Sequence, residues 1–186
     1  MEDIDKKVQN MELIIAMRVL QQENTPENRN RMLNEMMKSK FITPASIDEK
    51  EEEKMRENQK KGEKTPVQVS FKVVTTKDGK RFLPAFTDTM QLNEWKEKCG
   101  ITEKFKNMIM NFDVYAQYVL NSGGNLAGYI INPFGENLVF PSEIIKSLAM
   151  QRAQHMARLA SKRGVKPAEP REGIKPLNPQ EGSNEQ

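Results

Sequence analysis

Metal and redox chemistry have little to draw on in this chain, which has one cysteine, Cys99, and one histidine, His155, among 186 residues. A lone cysteine has no internal partner, so a disulfide framework and paired-cysteine metal motifs are both excluded. With no histidine nearby, Cys99 reads as a packed or idle thiol rather than a nucleophile. No cysteine or acidic cluster stands at ligand spacing from His155, which reads as a boundary histidine beside an apolar helix stripe. Long apolar runs are missing too. The longest are Leu13 to Met17 and the interrupted Leu126 to Ile131, far below the roughly 18 consecutive residues of a membrane helix. The start, MEDIDKKVQN, has neither the basic region nor the apolar stretch of a cleaved signal, so a soluble cytoplasmic protein is expected. A net charge of +3 is too small to imply nucleic acid as the partner. There is also no internal repeat that would give a solenoid.

What is present is polar. Hydrophobic residues make up 37% and charged residues 30%, with a mean hydropathy of -0.74, so part of the chain is expected to be linker or tail around one core of ordinary size. The twelve methionines suit adaptable cores and contact surfaces.

Val8 to Leu20 is apolar-rich with helical spacing and predicts a first helix. Thr25 before Pro26 is a cap followed by proline at the first helical position, opening a second helix to about Lys40 with Met32, Leu33, Met36 and Met37 as its stripe. Phe41 and Ile42 before Thr43-Pro44 read as extended. Residues 48–65 are nearly all charged and form a linker or loop, or an exposed charged helix in their first half. After Pro66, VQVSFKVVTT and RFLPAF flank Lys77-Asp78-Gly79-Lys80 as a hairpin, with Pro84 at an edge, a bulge or a strand end.

Asp88 with Gln91 resembles a capping box for a short helix through Trp95 that ends by Cys99-Gly100. Phe105 to Phe112 predicts a strand, and Asp113 a cap for a helix through Leu120 that stops at Ser122-Gly123-Gly124. Leu126 to Ile131 and Leu138 to Phe140 are strands around the turn Asn132 to Asn137. Pro141-Ser142-Glu143 opens a long helix whose buried side holds Ile144, Ile145, Leu148, Ala149, Met156 and Leu159. Past Gly164 the chain is rich in proline, glycine and charge and is expected to be a disordered tail.

Three features invite chemistry and are better read otherwise. Glu51-Glu52-Glu53 is interleaved with lysines and lacks the converging turn of a hard-cation site, so it is a solvated face. Ser122-Gly123-Gly124-Asn125 joins a helix to a strand and lacks the lysine and following helix of a phosphate loop. Lys146, Arg152, Arg158, Lys162, Arg163 and Lys166 are a one-sided charge open to phosphates or an acidic protein, but they carry no interleaved aromatics for base stacking, and complementing a helix C-terminus is the preferred reading.

GKRFLPAFTD, LNEW and YIINPFGENLVFPSEII resemble the SseB family, in its N-terminal domain. Gly79, Lys80, Phe82, Pro84, Phe86, Thr87, Trp95, Ile131, Asn132, Pro133, Phe134, Gly135, Glu136, Asn137 and Pro141 carry the likeness, over roughly residues 67 to 150. The resemblance implies a bacterial mixed α/β domain of accessory role with no catalytic residues to transfer, nearer a binding module than an enzyme. Its larger members continue into a second domain, where this chain has a polar tail.

The expected fold is therefore α+β, with an antiparallel or mixed sheet of about five strands and flanking helices. The expected divisions are an N-terminal helical hairpin at 1–47, a charged segment at 48–65, the core domain at 66–163 and the tail at 164–186. Asn132 and Asn137 are expected to hold backbone groups around Pro133-Phe134-Gly135, with Gly135 supplying positive φ. Phe134 is either exposed as a contact residue or folded back over the sheet end. The expected interaction surface comprises Pro84, Phe86, Thr87, Asp88, Asn132, Pro133, Phe134, Gly135 and Asn137, and the expected partner is another protein. No catalytic residue, metal or cofactor is expected. The alternative is a small-molecule- or nucleotide-responsive regulator, with Asn132, Asn137, Thr87 and Asp88 lining a pocket against Trp95 and Phe86.

Overall fold

The computed structural model describes residues 4–47, 53 and 69–162. The charged segment at 48–65, apart from Glu53, and the tail at 164–186 lie outside the described residues. The first helix predicted from Val8 to Leu20 is two helices, α1 (Ile4–Val8) and α2 (Met11–Gln22). They are separated because Gln9 adopts a φ of 36° and the Asn10 side-chain amide is drawn off to the carbonyls of Lys40 and Thr87. α3 (Pro26–Lys38) begins as its sequence dictates: Pro26 opens the helix, and the Thr25 hydroxyl accepts the Asn28 amide at 3.2 Å.

Residues 40–47 do not extend the helical hairpin. They form β1 (Lys40–Ile47), the central strand of a three-stranded antiparallel sheet with β2 (Val69–Phe71) and β5 (Lys106–Asn111). The segment predicted as one strand before the hairpin turn splits, because β2 pairs with β1 whereas β3 (Val74–Thr75) pairs with β4 (Arg81–Ala85). Gly79, at φ 78°, closes the β3–β4 turn. The second sheet runs β3-β4-β6-β7, with β6 (Gly128–Ile131) parallel to β4 and β7 (Leu138–Pro141) antiparallel to β6. Among the described residues the strands thus form two sheets, of three and four, in place of one of about five, within the expected α+β class.

The sheets are joined at one bridge, where the amides and carbonyls of Ile42 and Phe86 exchange hydrogen bonds of 2.8 and 2.9 Å. The outer edge of β4 explains how Pro84 is tolerated. Phe82 pairs with β3 and Phe86 with Ile42. Between them the Pro84 carbonyl accepts the Tyr115 hydroxyl at 3.1 Å. A residue with no N–H sits where no strand asks for one.

Three further helices cover this framework. α4 (Thr89–Lys98) is capped by Asp88, whose carboxylate accepts the Gln91 amide at 2.9 Å. α5 (Phe112–Leu120) is capped by Asn111 rather than Asp113; Asp113 falls in the first turn, 3.2 Å from Arg152 Nε. α6 (Ser142–Lys162) follows β7 directly. Strand alternation sorts the core. Phe41, Leu83, Ala85, Met110, Tyr129 and Ile131 pack against α2, α3, α5 and α6. Their neighbours Ile42 and Phe86 join Val8, Leu92 and Trp95 under α1 and α4.

Three residues assigned from periodicity to the buried side of α6 are exposed: Ile144 at 45%, Met156 at 59% and Leu159 at 37%. Ile144 lies off the face centred on Ile145 and Leu148, and among the described residues nothing covers Met156 or Leu159.

Candidate functional site

The nine residues expected to form one surface divide between core and surface. Pro84, Phe86, Thr87 and Asn132 are buried; Asp88 and Pro133 are half-buried; Phe134, Gly135 and Asn137 are exposed. The first group therefore builds a frame and cannot touch a partner. Phe86 packs against Trp95 with ring centroids 5.3 Å apart.

Asn132 organises the frame. It follows β6 at φ 46°, a left-handed conformation that asparagine tolerates better than most residues. Its Oδ1 accepts the Thr87 amide at 3.1 Å, and its Nδ2 donates to Thr87 Oγ1 at 2.9 Å and to Glu136 Oε2 at 2.7 Å. Its backbone is equally committed. Its amide donates to the Ala85 carbonyl, and its carbonyl accepts the amides of Gly135 at 2.9 Å and Asn137 at 3.0 Å. One 1%-exposed residue thus ties the end of β4 to both arms of the 132–137 turn.

The network continues on either side. Thr87 Oγ1 donates to Asp88 Oδ2 at 2.8 Å, and the Thr87 carbonyl accepts Asn10 Nδ2 at 2.9 Å. Asn10 Oδ1 is buried without a hydrogen-bond partner among the described residues. Asp5 accepts both the amide and the hydroxyl of Thr89, fastening α1 to the first turn of α4.

Gly135 does not supply the positive φ expected of it; Asn132 and Asn137, at 46° and 51°, do so. Glycine at 135 instead leaves room for a neighbour, since a Cβ there would overlap the Gln91 side-chain oxygen, which would have to move, and lie 3.3 Å from the Asn132 Cβ. Phe134 is 46% exposed at the tip of the turn, with Lys98 Nζ 5.3 Å from its ring centroid. Lys98 is itself held 2.6 Å from Glu94. The turn is therefore braced against the face of α4 that carries Gln91, Glu94 and Lys98. Sequence reasoning missed Lys98 and Glu94, and also Gln91 outside its capping role, although their i, i+3 and i+7 spacing marks a single helix face.

The residues considered for chemistry fall elsewhere. Burial pushes the Cys99 thiol up, opposite to the direction that activates a nucleophile. His155 is exposed on α6. Ser122 ends α5, its hydroxyl donating to the Val119 carbonyl at 2.7 Å, with Gly123 and Gly124 at positive φ. Among the described residues there is no group of three or more histidine, cysteine or acidic side chains placed to hold a metal, and no helix long and apolar enough to cross a membrane. For the alternative pocket, Asn132 and Thr87 direct their polar groups at each other, and Phe86 and Trp95 are buried against one another. An open concavity lies instead along α3, lined by Glu27, Asn30, Arg31, Asn34, Glu35 and Lys38.

The family model for the SseB protein N-terminal domain matches residues 13–147, and the chain belongs to the SseB family. No curated protein and no solved structure matches it.

Proposed function

We propose that this SseB-family chain is a non-enzymatic accessory protein of the bacterial cytoplasm that docks another protein through the tip of the 132–137 turn. The observation that supports this is Phe134, an aromatic side chain 46% exposed on a turn whose backbone is fixed through Asn132. An aromatic anchor on a pre-ordered loop loses little conformational freedom on binding, so more of its burial appears as affinity. Pro133, exposed Asn137 and the Lys98–Glu94 pair surround it with rigid and charged neighbours, the usual surroundings of such an anchor.

Affinity capture from host lysate tests this, comparing wild type with a folded Phe134→Ala variant. The expected result is a partner enriched by wild type and lost in the variant. Identical captured sets would overturn the proposal.

A further inference from the structure

β5 (Lys106–Asn111) is an outer strand of the three-stranded sheet and pairs on one side only, with β1. Which of its backbone groups face outward follows from β1. Ile42 commits its amide and carbonyl to Phe86, and the Pro44 carbonyl accepts the Lys72 amide, so these alternate residues of β1 turn their backbone away from β5. Phe41, Thr43 and Ala45 therefore face β5 and bond to their registered partners Met110, Met108 and Lys106. The amides and carbonyls of Asn107 and Ile109, and the Asn111 amide, point out from the sheet, and nothing among the described residues bonds to them.

Edges of this kind are normally short, or blunted by proline or charge. The other outer strands comply: β2 has three residues, β3 has two, and β7 ends in Pro141. β5 has six residues and no proline, and its single charge, Lys106, stands at its first position.

The residue order indicates the occupant. Asn107-Met108-Ile109-Met110-Asn111 reads the same in both directions. Antiparallel pairing sets a strand against its own reverse, so a two-fold axis at Ile109 places Ile109 opposite Ile109, Met108 opposite Met110 and Asn107 opposite Asn111. The residues whose backbone faces outward then meet one another. Ile109 exchanges both its bonds with its counterpart, and the Asn111 amide reaches the Asn107 carbonyl of the copy. The same axis sets Lys106 opposite Phe112, which keeps the two lysines about 20 Å apart and free of repulsion. We propose that this chain forms a two-fold dimer through β5, joining its three-stranded sheet to that of a second copy. A foreign extended segment would be held by the backbone alone and has no need of a palindrome, and residues 163–186, with four prolines, are poor material for a strand.

Sedimentation equilibrium of the full chain tests this. A strand-edge contact is small beside a standard interface, so a monomer–dimer equilibrium with a dissociation constant on the order of 10 µM is expected. Ile109→Pro removes the amide at the axis and should weaken the dimer about tenfold or more, with circular dichroism to check folding. Phe134→Ala should dimerise as wild type does, because the turn at 132–137 takes no part.

Cross-linking in a Cys99→Ser background reads the register separately. Ile109→Cys brings two thiols together at the axis, about 5.5 Å apart between Cα atoms, and should form a disulfide under mild oxidation. Asn107→Cys leaves its two copies about 13 Å apart and should not. A chain that stays monomeric about tenfold above the expected dissociation constant overturns the proposal. So does a folded Ile109→Pro variant that dimerises as wild type does, or equal cross-linking at the two positions.

Discussion

Asn132 holds Thr87 from two sides, accepting its amide with one end of the carboxamide and donating to its hydroxyl with the other, at 3.1 and 2.9 Å. The two residues lie 45 positions apart, one after each of the parallel strands β4 and β6, so this clamp fixes both strand ends and the turn that follows.

Asn132→Ala should therefore cost about 3 kcal/mol. Lost bonds and unpaired buried groups account for most of this, and about 1 kcal/mol comes from placing a non-glycine residue without a local hydrogen bond in the left-handed region. Asn132→Gly relieves only the backbone part and should recover about 1 kcal/mol. Urea unfolding of the two variants separates these contributions; equal losses would show that the backbone conformation costs nothing.

Tyr115 is fully buried, and its hydroxyl donates to Pro84 and receives the Thr43 hydroxyl. Tyr115→Phe leaves both partners unsatisfied and should destabilise by roughly 1–3 kcal/mol. Thr43→Val added to it should cost less than the sum of the two single changes, because the orphaned hydroxyl is removed with it. Strict additivity in the double-mutant cycle would refute the link.

Two glycines should differ sharply in what a methyl group costs. A methyl at Gly128, where φ is 154°, would overlap the Phe140 carbonyl oxygen and lie 2.9 Å from the carbonyl carbon, inside the β6–β7 ladder. Gly128→Ala should cost about 4 kcal/mol or more, or prevent folding. At Gly135 the clash is with the end of the Gln91 side chain, which can rotate away, so Gly135→Ala should cost about 1 kcal/mol. Gln91→Ala should reduce that cost further.

Burial raises the phenols of Tyr115 and Tyr129 above the ordinary value of 10.0, with mutual repulsion adding to the shift of Tyr129. Their folded values lie above the unfolded one, so their contribution is intact below pH 10 and is lost as the pH rises beyond it. The urea midpoint should fall above pH 10, with tyrosinate absorbance appearing together with unfolding. The fall should be shallower in Tyr115→Phe, and a flat profile would contradict the assignment.

Local chemistry was legible in the residue order. Thr25-Pro26 and Asp88 cap the helices they precede, Asp78-Gly79 turns a hairpin, and the α+β class follows from the alternation of periods. Asn132 to Asn137 was recognisable as a rigid turn, but which of its residues took positive φ was not. Asparagine and glycine both permit that conformation, and only the folded turn shows that Asn132 and Asn137 adopt it while Gly135 leaves room for Gln91.

The sequence by itself determined where elements begin and turn, because caps, prolines and glycine turns act within a few residues. Only the tertiary structure decided which apolar residues are covered. Phe86 and Thr87 became core because β1 bridges to the end of β4, and Phe134 stayed at the surface because Asn132 pins the turn outward. Among the described residues nothing covers Met156 and Leu159, because the contacts of α6 with the sheets and helices reach only to Arg152 while the helical stripe continues. Periodicity fixes the direction a side chain faces, but only long-range packing supplies something for it to face.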